Sequence, residues 1–240
     1  MPSTRKHRYL LSGAILALGV AIAASFLLRD RETVGEDDEE NPFAEAPNQG
    51  PDGPFQQRNP DGSSIFGGFS AGRREGAWMR TSSGGAVLIE AEYVEGQLEG
   101  TWSSFYEQNG QVRETGQYVG GLAEGSWRMY YPNGALFEIV EHKAGKAHGA
   151  WSMHHPDGAL ADSMTWQQGL QVGTETNYSP EGRVIAQGDF QAHQPSGTWT
   201  CMDPDGSTRR IPAPTERLTP RQACGFGNGP EEAPSLLAAP

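Results

Sequence analysis

The chain has 240 residues, 36% of them hydrophobic, with 32 Gly and 17 Pro, and it sets 30 acidic against 18 basic side chains for a net charge of −12. So much Gly and Pro argues against long helices and for many turns with special backbone angles. The negative surface would be repelled by phosphate backbones and anionic headgroups, which excludes nucleic acid as a partner class.

In chain order, Arg5, Lys6 and Arg8 precede an uncharged run from Tyr9 to Leu28, which Arg29-Asp30-Arg31-Glu32 closes. A helix of that length spans roughly 30 Å, the thickness of a bilayer's hydrocarbon core. The positive flank predicts a cytoplasmic N-terminus and an exported remainder. Ala21-Ile22-Ala23 offers an A-x-A cleavage pattern. Residues 1–29 are therefore expected to be a membrane anchor, which their length favours, or a cleaved signal peptide.

Residues 30–57 hold the acidic run Glu36-Asp37-Asp38-Glu39-Glu40 and almost no apolar side chains, so they read as a disordered linker extended by self-repulsion. The Pro- and Ala-rich stretch 212–240 reads as an irregular tail. Cys201 and Cys224 are the only cysteines. In an exported chain they are a candidate disulfide tying that tail to the last repeat, with free thiols the alternative.

Residues 58–211 are a repeat array. Gly-x-Trp recurs at Gly76-Ala77-Trp78, Gly100-Thr101-Trp102, Gly125-Ser126-Trp127, Gly149-Ala150-Trp151 and Gly197-Thr198-Trp199, at spacings of 24, 25, 24 and 48 residues. The long gap hides a degenerate copy, Gly173-Thr174-Glu175. Pro132-Asn133-Gly134, Pro156-Asp157-Gly158, Pro180-Glu181-Gly182 and Pro204-Asp205-Gly206 supply the residues that reverse a chain. The flanks alternate at period two: Trp127, Met129 and Tyr131 on one face, Arg128 and Tyr130 on the other. After the turn Leu136, Glu138, Val140 and His142 oppose Phe137, Ile139 and Glu141. Each unit is thus predicted to be a hairpin. About six units would stack into an all-β, elongated single antiparallel sheet of about twelve strands, ~55 Å long, preceded by the one N-terminal helix.

The pattern from Gly125 to Gly134, Gly-Ser-Trp-Arg-Met-Tyr-Tyr-Pro-Asn-Gly, with Gly116-Gln117-Tyr118-Val119-Gly120-Gly121 as its second half, resembles the MORN-variant repeat found in bacterial proteins of the YwqK-like antitoxin group. That resemblance covers roughly residues 58–211. It implies a hairpin-per-repeat sheet and a role in protein or membrane association. Glu175 in place of Trp, and His142 and Trp166 at the usual Tyr position, depart from the pattern.

The expected binding residues are the aromatic ladder Trp102, Tyr106, Trp127, Tyr131, Trp151 and Trp199, extended by Trp78, Phe105, Tyr130 and Tyr178; the competing reading makes the same rings the array's own core. His142, His148, His154 and His155 lie close in sequence, but their spacing fits no metal-ligand motif, and His154 and His155 fall where Tyr130 and Tyr131 lie one repeat earlier. No catalytic motif is present, so no enzyme activity, cofactor or metal is expected. The sequence predicts a scaffold that binds a protein partner, tethered to the membrane by its N-terminal helix. It would sit in the bacterial cell envelope with its repeats outside the cytoplasm, or be secreted or periplasmic if cleaved. An antitoxin or immunity protein and a glycan- or wall-binding module are the alternatives.

Overall fold

The computed structural model describes residues 43–203, 205–215, 218–227 and 229–230. The expected anchor at 1–29, the acidic run and Pro204 lie outside them. Among the described residues no helix is long and apolar enough to cross a membrane.

The chain folds as one antiparallel sheet of sixteen strands. They are β1 (Gly53–Arg58), β2 (Ser64–Ser70), β3 (Arg73–Arg74), β4 (Gly76–Thr81), β5 (Val87–Val94), β6 (Gln97–Leu98), β7 (Gly100–Phe105), β8 (Val112–Val119), β9 (Leu122–Tyr130), β10 (Leu136–Lys143), β11 (Lys146–His154), β12 (Leu160–Gln167), β13 (Leu170–Tyr178), β14 (Val184–Gln191), β15 (Gln194–Met202) and β16 (Thr208–Pro212), followed by a single helical turn, α1 (Pro220–Ala223). Strand order follows chain order from β1 to β16, with β3 and β6 pairing off the main path. The breaks at Glu75 and Glu99 are minor, because Glu75 N–H donates to Gly68 O and Glu99 N–H to Glu92 O, each at 2.9 Å.

The Pro-x-Gly triplets make the turns their residues demand. At Tyr131–Ala135, Tyr131 N–H donates to Ala135 O and Gly134 N–H to Tyr131 O, both at 2.8 Å, while Asn133 Oδ1 accepts from Ala135 N–H at 2.9 Å. The opposite edge uses two consecutive residues with positive φ, such as Ala144 (49°) and Gly145 (78°), the turn whose twist matches that of the flanking strands. These edge turns lie one upon another. Gly96, Gly121, Gly145 and Gly169 each donate a backbone hydrogen bond of 2.8–2.9 Å to the preceding unit.

The predicted alternation holds along β9 but slips in β10. Leu136 pairs with Tyr130 and Glu138 with Met129, so Phe137 is an extra, bulged residue that packs inward with Tyr131 at 5.0 Å between ring centroids. Equivalent register shifts occur between β4 and β5, β7 and β8, β11 and β12, and β13 and β14. Repeated bulges bend and twist a sheet.

The sheet has more than twelve strands because β1 comes from the expected linker, β2 precedes the first Gly-x-Trp unit, and β3 and β6 are short pieces set off by the breaks at Glu75 and Glu99. Residues 53–58 form β1, and Phe43 is fully buried against Trp78 and Tyr93. Arg74 holds this segment. Its Nη2 donates to Phe43 O (2.9 Å) and Ala46 O (2.7 Å), its Nη1 to the Tyr93 hydroxyl (3.2 Å), and its guanidinium lies over the Trp78 ring at 4.7 Å. The acidic composition of 30–57 as a whole hid one aromatic anchor and its cationic clasp.

Among the described residues of the expected tail there is one helical turn. Thr219 caps α1 with a reciprocal capping box, and Arg221 of that turn is buried. Two end segments thus cover the outermost units, as a stack of hairpins requires, since a terminal hairpin has a neighbour on one side only.

Candidate interaction surface

The six expected binding residues, Trp102, Tyr106, Trp127, Tyr131, Trp151 and Trp199, are all buried, at 0–8% exposure. They lie in the array's interior, where a docking partner would not touch them. Trp102 and Trp127 stand 5.6 Å apart between centroids, and Trp127 meets Tyr118 at 5.1 Å and His142 at 6.1 Å. The burial supports the competing reading, in which the rings pack on one another as the array's own core.

The rings of Trp78, Trp127 and Trp199 lie against a glycine of the preceding strand, eleven positions earlier. A Cβ built at Gly67 would fall 2.3 Å from the Trp78 ring, at Gly116 2.1 Å from Trp127, and at Gly188 2.5 Å from Trp199. Ala91 and Val140 occupy the same place before Trp102 and Trp151. Those two rings are the more exposed ones, at 8% against 0–1% for the three that lie on glycine. Where Met164 occupies that place the ring is lost and Glu175 stands instead. The three rings on glycine are thus the deepest, and Ala or Val at that place leaves the ring slightly more exposed.

The tyrosines link units. Tyr106 hydroxyl donates to Tyr130 O at 2.6 Å and Tyr131 hydroxyl to His154 O at 2.9 Å, each reaching one repeat onward. Trp78, too, is buried, while Phe105, Tyr130 and Tyr178 lie half-buried on the other face. The sheet's outward face is therefore not the face the ladder predicted. It carries one continuous row in register across the sheet, running from Glu90 through Ser103, Thr115, Arg128, Ile139 and Ser152 to Arg210. A parallel row of polar pairs flanks it: Gln117 Nε2 donates to Thr101 Oγ1 at 2.8 Å, the Ser126 hydroxyl to Glu141 Oε1, and the Thr174 hydroxyl to Asp189 Oδ1 at 2.6 Å.

The histidines do not converge. His142 is in the core beside Trp127, and His154 is half-buried, its pKa lowered by burial, in the strand position Tyr130 holds one repeat earlier. Among the described residues, no three His, Cys, Asp or Glu side chains are placed to hold a metal ion. Cys201 and Cys224, left open as disulfide or thiols, are joined, with Cα atoms 5.4 Å apart.

Sequence reasoning missed a polar cluster at the degenerate repeat. Glu175 is 3% exposed, and burial first, with Asp162's charge assisting, pushes its pKa up to about 7. Asn177 Nδ2 bridges Asp162 Oδ1 (2.5 Å) and Glu175 Oε1 (3.1 Å), and Arg221 Nη2 reaches Asp162 Oδ1 at 3.2 Å. The loss of Trp at Glu175 was visible in the repeat register. That Arg221 would reach it from the tail was not.

Residues 123–144 match the model of the MORN repeat variant. No curated protein matches the sequence. Among solved structures, the chain is similar to a crystal structure of a point mutant of S. aureus TarM in complex with Fondaparinux, alpha-GlcNAc-glycerol and UDP. That match has 9% identity and a TM-score of 0.25, covering 50% of this chain and 21% of that one. A crystal structure of a GtfA/B complex bound to UDP and GlcNAc is similar at 12% identity and a TM-score of 0.22, covering 48% of this chain and 22% of that one. The chain thus spans about a fifth of either, and likenesses so low carry no argument about fold or function. The hairpin matched at 123–144 carries the MORN repeat variant, and it is one unit of a register that runs through its neighbours.

Proposed function

We propose that the protein is a non-catalytic scaffold, exported and held at the membrane by its N-terminal segment, that binds a partner protein on the outward face of its sheet. The observation that carries this reading is the unbroken outward row from Glu90 to Arg210, in register over consecutive strands at ~4.8 Å intervals. A rigid face of that kind presents side chains at fixed spacing without ordering cost on binding. The MORN-variant match supports a repeat scaffold, and the Cys201–Cys224 disulfide is in keeping with an oxidising location.

The test is crosslinking in cells with the full-length protein. Replacing the exposed outward residues Thr101 and Thr165 together by Arg should abolish capture of the partner while leaving the melting temperature within a few degrees. Trp127→Ala should instead unfold or loosen the array, because truncating a buried Trp costs about 3–5 kcal/mol. Undiminished capture by the double Arg variant would exclude this face. Retention on purified peptidoglycan with no protein captured would favour the glycan-binding alternative, and a toxic product of an adjacent gene, neutralised by this protein outside the cytoplasm, the immunity one.

A further inference from the structure

The interior of the array is apolar and aromatic from Phe43 to Trp166. Beyond it the interior continues as the packed pair Phe190 and Trp199, 5.3 Å between ring centroids, and a small separate cluster of Ala186, Cys201 and Cys224, packed by Ile211 and Phe226. Between the two stretches stands Glu175, where other repeats carry Trp, with Asp162 from β12, Asn177 and Gln171 from its own strand β13, and Arg221 from α1. Gln171 Nε2 donates to Glu175 Oε2 at 2.8 Å. The one guanidinium does three things at once: Arg221 Nη2 donates to Asp162 Oδ1 (3.2 Å), Ala161 O (3.1 Å) and Tyr178 O (2.9 Å), so it docks the tail on β12 and β13.

We propose that this cluster is a proton-operated latch on the C-terminal segment, closed while Glu175 is neutral and loosened when Glu175 ionises. The argument is one of charge. Two buried carboxylates face a single guanidinium, so the cluster is balanced with one proton aboard and carries an uncompensated buried negative charge without it. Two donors, Asn177 Nδ2 and Gln171 Nε2, favour the charged form of Glu175, and burial together with the Asp162 charge outweighs them. The remaining charged neighbours do not supply a second cation. Asp189 on β14 faces the opposite side and bonds Thr174. Arg209 on β16 is engaged with Asp203 and Cys224 O. His193, in the turn between β14 and β15, accepts from Gln171 N–H at 3.3 Å and packs on Trp166.

The sign follows from linkage. The folded-state pKa of Glu175 lies above its ordinary value of 4.5, at about 7. Its contribution to docking is therefore whole below the ordinary value and lost as pH rises through 7. The disulfide holds Cys224 beside Cys201 in both states, so opening is local: Arg221 withdraws and α1 frays. The latch is independent of the scaffold reading and holds whether or not a partner protein binds.

Hydrogen exchange of the disulfide-bonded full-length protein tests it, read at the amides of Ala223 and Cys224, which donate to Thr219 O and Pro220 O. Protection, corrected for intrinsic rates, should fall at least about tenfold between about pH 5.5 and about pH 8.5 in the wild type, and Glu175→Gln should abolish the step. Equal protection at both pH values would overturn the latch. So would a step that persists in Glu175→Gln, which would assign the response to His193. Should Glu175→Gln fail to fold, the wild-type Glu175 carboxyl resonance decides: a midpoint near 7 that coincides with loss of protection supports the latch, and a midpoint near the ordinary value refutes it.

Discussion

At the scale of single residues the array is governed by pairs of one large and one small side chain. The Trp127 ring occupies the volume into which a Gly116 side chain would grow, and Trp102, Tyr118 and His142 hem that ring in. Gly116→Ala should therefore cost about 1 kcal/mol and Gly116→Val about 3 kcal/mol, read as a fall in urea midpoint at constant slope. The figure for Ala is the smaller because one methyl carbon intrudes on the ring against the three carbons of Val. A Gly116→Val variant as stable as the wild type would show that the ring can tilt freely, contrary to its packing.

Among elements, the same turn is held in successive units by a carboxylate from the unit before. Glu75 accepts from Glu95 N–H at 2.9 Å, Glu99 from Gly120 N–H at 2.7 Å and Glu124 from Ala144 N–H at 2.8 Å. These donors sit at the first residue of the turn, where φ is positive, and two of them, Glu95 and Ala144, are not glycine. A side chain in that backbone region costs of order 1 kcal/mol, which the carboxylate offsets. Glu124→Ala should destabilise by about 1 kcal/mol and raise exchange selectively at Ala144 and its turn. The staple lapses in the next unit, where His148 stands in Glu124's place; beyond it, Gln171 N–H donates to His193 Nδ1 at 3.3 Å across the units. The change from carboxylate staples to other contacts lies on the C-terminal side of the array, beside the interrupted aromatic core.

For the molecule as a whole, each unit contacts its sequence neighbours, so stability is a sum of local terms rather than one cooperative block. The two ends are closed by different chemistry. Arg74 clasps residues 43–47 at one end, and Arg221 with the Cys201–Cys224 bridge holds the other. The bridge closes a loop with a sequence separation of 23, for which chain entropy gives about 3 kcal/mol. Reduction should accordingly lower the protection of β14 to β16 while leaving β4 to β10 unchanged, measured by hydrogen exchange. Uniform loss across all strands would mean that the array unfolds as a single unit.

Hairpins, turns and strand order follow from chemistry written in consecutive residues. Gly-x-Trp at a 24-residue period, Pro-Asn-Gly at one edge and period-two alternation between them are local signals, each acting over a few positions. They determine a single antiparallel sheet of stacked hairpins. Three things were decided only in three dimensions. The bulge at Phe137 reverses the expected facing of a few residues, because a register slip is set by the partner strand and leaves no mark on the alternation itself. Burial of Trp102, Tyr106, Trp127, Tyr131, Trp151 and Trp199 depends on which side chains neighbouring strands bring against each ring, so the same sequence pattern served equally for a binding face and a core. The clasps of Arg74 and Arg221 join residues tens of positions apart, from segments whose average composition reads as linker and tail. One buried guanidinium meeting several carbonyls is a tertiary event, which composition, being an average, does not register.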